Sequence, residues 1–169
     1  DLEMSFVETE DVYAIGEGYV KRLFKDVLGV DIETPLPRLK YIDAMEQYGS
    51  DKPDTRFDMK ITDISDIVKD SGFGVFSGAV AAGGSVRAIV AKNAADKLTR
   101  KEIDKLTEYV KGIGAKGLAF IRWVDEEPAC AFAKFFENNE LQSITERLNA
   151  ERGDVVLIVA DKNRVTLPT

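Results

Sequence analysis

The 169 residues carry 23 Lys+Arg against 30 Asp+Glu, a net charge of −7, and 44% apolar side chains, a balance that excludes wholesale disorder. Histidine is absent, which removes the commonest general base, the Ser/Cys–His nucleophile systems and His-containing zinc sites. One cysteine, Cys130, leaves no internal disulfide and fits a reducing, cytoplasmic setting; no run approaches the ~18 apolar residues of a membrane span.

The chain opens at Asp1 without an initiator Met or a secretory leader, and reads as a piece of something longer. Leu2, Met4 and Phe6 alternate with Glu3 and Ser5, the period of a half-buried strand. Thr9 then stands as an N-cap, with Glu10 and Asp11 in the first turn, where the helix dipole favours acids. Val12, Ile15, Tyr19, Leu23, Phe24, Val27 and Leu28 fall on one helical stripe that ends near Gly29. Pro35 and Pro37 make 31–38 an extended connector, and a short helix is expected over 41–48. Residues 49–56 form a polar loop rich in turn formers, and Thr62 is expected to cap a short helix.

From Phe73 the period changes. Residues 73–80 and 85–91 read as strands joined through Ala81-Ala82-Gly83-Gly84 as a hairpin. Thr99 with Glu102 is a capping box, opening a helix with Ile103, Leu106, Val110 and Ile113 as its buried stripe and Gly114 at its end. Residues 118–124 are an apolar strand and 129–133 a short one. Asn138 or Asn139 caps a final helix carrying Leu141, Ile144 and Leu148, and 155–160 is the last buried strand. The fold class expected from this order is α+β, a two-layer sandwich with an antiparallel sheet and its helices on one face.

Charge divides the chain near residue 60. Residues 1–60 hold 8 basic and 14 acidic side chains, whereas 87–122 hold nine basic and four acidic. That basic stretch has two readings. It is a solvated helix face, because Asp104 and Glu108 interleave with Lys101 and Lys105, or it is an RNA-facing surface with Lys101 and Lys105 as candidate contacts. The glycine pairs around 72–74 and 83–84 lack the Lys-Ser/Thr of a phosphate loop and read as turns. Asp63, Asp66 and Asp70 share an expected helix face, which reads as a solvated acidic surface rather than a metal site. Trp123, Phe135 and Phe136 read as packing residues and Cys130 as a small buried hydrophobe. No nucleophile, base and oxyanion site assemble. No catalytic residue and no metal ligand is assigned, and the chain reads as a binding or structural module.

Two segments carry a family resemblance. Residues 1–7, DLEMSFV, resemble the closing strand of motif 2 in class II aminoacyl-tRNA synthetases of the bacterial aspartyl form, and 48–56, YGSDKPDTR, resemble a signature stretch of the same enzymes. Residues 98–104 and 114–119 (GAKGLA), with 133–135 and 153–161, resemble their large insertion, the GAD domain. The Gly-Ala-Asp that names it reads Val159-Ala160-Asp161 here, and a Val suits a strand end.

The resemblance implies a stub of class II catalytic domain over 1–60 and the insertion over 61–169, the latter a sandwich of the ββαββα kind beside an N-terminal strand–helix stub. It implies a parent that activates aspartate with ATP and Mg²⁺ and transfers it to tRNA in the cytoplasm, without membrane contact. The parent is implied to be a homodimer, and this piece a monomer with no bound cofactor. Asp1 resembles an acidic residue lining the aspartate pocket. The stretch begins after the motif 2 Arg that grips ATP and stops before motif 3, so the piece is expected to be inactive alone. The alternative is the tRNA-contacting insertion of an archaeal tRNA-dependent amidotransferase subunit, which does not need the motif 2 strand of residues 1–7.

Overall fold

The computed structural model describes residues 1–137 and 139–168. Two compact units are present, Asp1–Leu39 and Lys40–Thr169.

The first unit is built on helix α1, Thr9–Leu28, which no residue of its own buries deeply. Its N-cap is Glu8 rather than Thr9, because the Asp11 carboxylate reaches back to accept from the Glu8 N–H at 2.9 Å. Gly29 closes α1 in the left-handed region (φ 69°), donating to the Lys25 carbonyl at 3.1 Å. The 31–38 connector lies back along the helix. Arg38 Nη1 donates to both carboxylate oxygens of Glu10, at 2.7 and 2.8 Å, and its guanidinium stands 4.1 Å over the Tyr13 ring. The strand expected over residues 2–6 does not form. Alternation specifies a strand only where a ladder partner exists, the described residues of this unit contain no other strand, and Phe6 turns to φ 58°.

The second unit begins with α2, Tyr41–Tyr48, as its periodicity and Gly49 predict. It continues through β1 (Thr62–Asp63), α3 (Ser65–Val68), α4 (Gly74–Ala81), β2 (Ser85–Ala91), α5 (Arg100–Gly112) and β3 (Ala119–Arg122). A 3₁₀ turn (Ala133–Phe135), α6 (Glu140–Arg147), β4 (Val155–Asp161) and α7 (Asn163–Thr166) complete it. The sheet is antiparallel throughout in the order β1-β2-β4-β3, with β2 and β4 paired from Ser85↔Asp161 to Ala91↔Val155. The α+β class is as expected.

Helices cover both faces of that sheet, not one. Val86, Ala88, Ile121, Val156 and Ile158 pack with Ile64 and Val68 of the α3 segment, Phe76 of α4 and Ile144 of α6. The alternate residues Val155 and Val159 meet Ile103 and Val110 of α5, on the opposite face. Side chains alternate across a strand, so apolar residues at both parities of β4 demand cover on both sides. Each fully buried Phe, Ile or Val contributes about 1.5–3 kcal/mol by removal from water.

Three further differences have local causes. Residues 73–80 are not a hairpin strand: the run is apolar but for Ser77, which does not separate buried strand from buried helix by period. It forms α4, with the Phe73 carbonyl accepting from the Phe76 N–H at 2.9 Å and Phe76 fully buried. Thr62 caps no helix. It pairs with Ala88 in β1, and Asp63 instead accepts from the Ser65 N–H at 2.8 Å. Residues 129–133 contribute one bridge, Ala129 to Arg122, before the chain turns into 3₁₀. Thr99 caps α5 by accepting from the Glu102 N–H at 3.4 Å, while Ile113 stays exposed. Asn139 is the α6 N-cap residue, and Asn138 lies outside the described residues.

Candidate functional site

The nine basic residues from 87 to 122 differ in where the fold places them. Arg87, in the middle of β2, is 6% exposed and turned inward. Arg122 donates from Nε to the Ala95 carbonyl at 2.9 Å, and Lys92 reaches Asp154 at 2.8 Å. On α5, Arg100 pairs with Asp104, Lys105 with Glu102 and Lys111 with Glu108, all within one helical turn. Lys116 stands 3.7 Å from Asp161, and among the described residues Lys97 and Lys101 make no ion pair, so the excess of positive charge counted in the sequence shrinks to a small exposed remainder. Lys101 and Lys105 stand exposed on α5. Asp1 is exposed in the first unit.

The signature stretch projects from the second unit as a loop with a well-defined base. α2 ends at Gly49 in the left-handed region (φ 68°), where a Cβ would lie 1.8 Å from the Leu167 carbonyl oxygen; only Gly fits. The Ile61 N–H donates to the Gln47 carbonyl at 2.8 Å and closes the loop. Three residues before Gly49, Glu46 Oε2 receives Arg87 Nη2 at 2.6 Å. The same nitrogen stands 3.5 Å from Asp63, its direct neighbour across the β1–β2 ladder. Arg87 Nε donates to Ser85 Oγ at 3.1 Å, and Ser85 Oγ meets Thr166 Oγ1 at 3.1 Å. The base therefore draws on α2, β1, β2 and α7 together.

Within the loop, Arg56 grips Asp54 through two nitrogens at 2.5 and 2.8 Å. Those hydrogen bonds, with one from the Arg56 N–H, lower the Asp54 carboxyl to about 2. Lys52 holds Asp51 below the ordinary carboxylate range in the same way, at 2.9 Å. Among the described residues, every hydrogen bond and ion pair of residues 50–60 ends within 50–60. Lys52 and Arg56 are thus presented on a charged tip that the rest of the unit holds only from below.

A second knot gathers the other end of the sheet. Asp154, 2% exposed, accepts from Lys92 Nζ at 2.8 Å, the Asn93 N–H at 2.9 Å and the Glu151 N–H at 3.0 Å. Burial opposes its ionisation, but the Lys92 ammonium and the two N–H groups outweigh it and hold the carboxyl below its ordinary range. Two of the three expected packing aromatics join a phenylalanine cluster: Phe132 stacks on Phe73 at 5.3 Å and meets Phe76 and Phe136 edge-on at 5.2 and 5.4 Å, and Phe135 stacks on Phe73 at 5.6 Å, whereas Trp123 instead donates from Nε1 to the Glu126 carbonyl at 3.3 Å. Beside it, a groove of about 520 Å³ opens between α4 and the β4 end, with Ile158, Ala160 and Lys116 among its lining residues. Val159 is a core residue against Val110 and Ala115, which accounts for a branched side chain at that place.

Metal and nucleophile chemistry find little to use. Asp63, Asp66 and Asp70 do not converge: Asp63 faces Arg87 and Asp66 is bidentate on Arg147. Among the described residues no three acidic or Cys side chains are grouped to hold a metal ion. Burial pushes the Cys130 thiol up, away from thiolate reactivity. No helix is long and apolar enough to cross a membrane among the described residues.

The sequence reading missed Arg87, Glu46 and Asp154. A lone Arg between Val86 and Ala88 in an apolar strand was the available signal for the first, since a buried charge requires a partner. Asp154 followed a Gly turn and looked like an ordinary turn residue.

The GAD domain family matches residues 76–168. The chain is 55% identical over 167 residues to an aspartate–tRNA ligase of Clostridium perfringens (strain 13 / Type A), covering 99% of this chain and 28% of the relative. It is 52% identical over 162 residues to the aspartate–tRNA ligase of Macrococcus caseolyticus, covering 96% and 27%. The corresponding protein of Ruminiclostridium cellulolyticum is 53% identical over 166 residues, covering 98% and 28%. The chain thus spans about 28% of the length of these relatives.

Proposed function

The chain belongs to the GAD domain family, and from that premise we propose that it is a segment of a bacterial aspartate–tRNA ligase, which activates aspartate with ATP and attaches it to tRNA. The observation that carries this reading is identity of 55% across 99% of the chain, including the signature loop that precedes the family-matched residues. In this reading residues 1–60 belong to the catalytic domain, where Asp1 borders the aspartate pocket, and 61–169 form its insertion. The parent is a cytoplasmic homodimer that uses Mg²⁺ with its ATP. The segment alone is a monomer without catalysis or bound cofactor, and no metal-dependent step is assigned to its residues. Lys101 and Lys105 are the side chains offered to tRNA.

The test is replacement. The matching stretch of the Clostridium perfringens ligase is exchanged for these 169 residues, and aspartylation of tRNA is measured. Retained aspartylation is expected; a folded hybrid unable to form aspartyl-tRNA would sink the assignment. The isolated chain is expected to show no aspartate-dependent ATP–pyrophosphate exchange.

A further inference from the structure

Among the described residues the signature loop makes no outward hydrogen bond or ion pair from its own tip, so whatever orients it must act at its base. Two groups from the family-matched residues 76–168 act there: the Leu167 carbonyl that excludes any side chain at Gly49, and Arg87. Arg87 is 6% exposed, which lowers the screening around it, and one nitrogen serves Glu46 at 2.6 Å and Asp63 at 3.5 Å. Glu46 lies on the last turn of α2, immediately before the loop, and Asp63 lies in β1, just after it. A single guanidinium thus spans the two stems of the loop. Its Nε is held by Ser85, itself met by Thr166, so its direction is fixed from behind. A Lys in its place keeps one charge for the two carboxylates but loses the Nε hydrogen bond to Ser85 that fixes its direction.

We propose that Arg87 is a positioning residue: it clamps both stems of the 49–60 loop to the GAD sheet, and thereby sets the orientation in which Lys52, Asp54 and Arg56 are presented to the rest of the catalytic domain. The clamp is a property of this chain alone; its consequence for catalysis rests on the ligase reading. The GAD insertion in this view acts as a mount for the loop that enters it.

Two measurements separate the parts. In the 169-residue chain, hydrogen exchange is followed at the Ile61 N–H, which closes the loop, and at Ile158 in the central strand. Arg87→Met, which keeps the apolar stem, is expected to speed exchange at Ile61 about tenfold while Ile158 holds, and Arg87→Lys to restore part of the protection. Equal acceleration at both sites would make Arg87 a general stabiliser and overturn the clamp. In the hybrid ligase, Arg87→Met is expected to lower kcat/KM for aspartate-dependent ATP–pyrophosphate exchange about tenfold, with Arg87→Lys recovering much of it. Unchanged exchange kinetics beside a loosened Ile61 would overturn the positioning role. An unmodified hybrid that is inactive would instead refute the ligase reading, leaving the clamp to stand on hydrogen exchange.

Discussion

Replacing Asp154 by Ala tests whether buried backbone donors or an ion pair dominate the knot at the sheet end. Three donors converge on the carboxylate: Lys92 Nζ at 2.8 Å and the N–H groups of Asn93 and Glu151 at 2.9 and 3.0 Å. Each N–H that loses a charged acceptor in a poorly hydrated place costs about 1.5 kcal/mol, so the two together cost about 3 kcal/mol. The Lys92 side chain is 45% exposed, and water screens its share to about 0.5–1 kcal/mol. Asp154→Ala is therefore expected to destabilise by about 3–4 kcal/mol and to lower Tm by about 10 °C or more in a unit of this size. Lys92→Met should cost about 1 kcal/mol at most, and Asp154→Asn should fall between, since it keeps one acceptor. Urea unfolding followed by far-UV circular dichroism measures all three. The reasoning fails if Asp154→Ala melts within ~2 °C of the parent, or if Lys92→Met is equally damaging.

Acid should expose the same group. Asp154 titrates below its ordinary range when folded, so its contribution is present above the unfolded value of about 3.9 and is lost as pH falls through and below it. Asp154→Asn should flatten the fall in stability from pH 5 downward, and an unaltered slope would contradict the assignment. Phe76→Ala, at a fully buried position in contact with Phe73 and Phe132, should cost about 3–5 kcal/mol in the same urea assay. Cys130 should react with a thiol reagent at pH 8 about tenfold more slowly than the unfolded chain, because burial raises its pKa. If α5 meets tRNA, converting Lys101 and Lys105 to Ala should reduce the slope of log affinity against log salt by about 2; an unchanged slope would remove them as contacts.

Local rules carried the elements whose stability is written in near neighbours. α1, α2, α5 and α6 follow from apolar spacing with Gly29, Gly49 and Thr99 at their ends, and β2 and β4 from apolar runs bounded by turns. The signature loop was likewise visible as a motif, and its turn-rich composition placed it outside regular structure. What failed was whatever depends on a distant partner. Residues 2–6 alternate like a strand but find no ladder, and the apolar run at 74–81 is compatible with either element until the core selects a helix for Phe76. The strand order β1-β2-β4-β3 and the cover on both sheet faces arise from pairings some seventy residues apart, such as Ala88 with Ile158. The charge of the 87–122 stretch is the clearest case. Counting residues left it as either a solvated face or an RNA-facing surface, and folding turns Arg87 inward to Glu46 and Asp63, Arg122 to a carbonyl and Lys92 to Asp154. Composition fixes how many charges a chain holds. Only the tertiary structure decides which of them face water, because a buried cation must find its acceptors wherever the fold brings them.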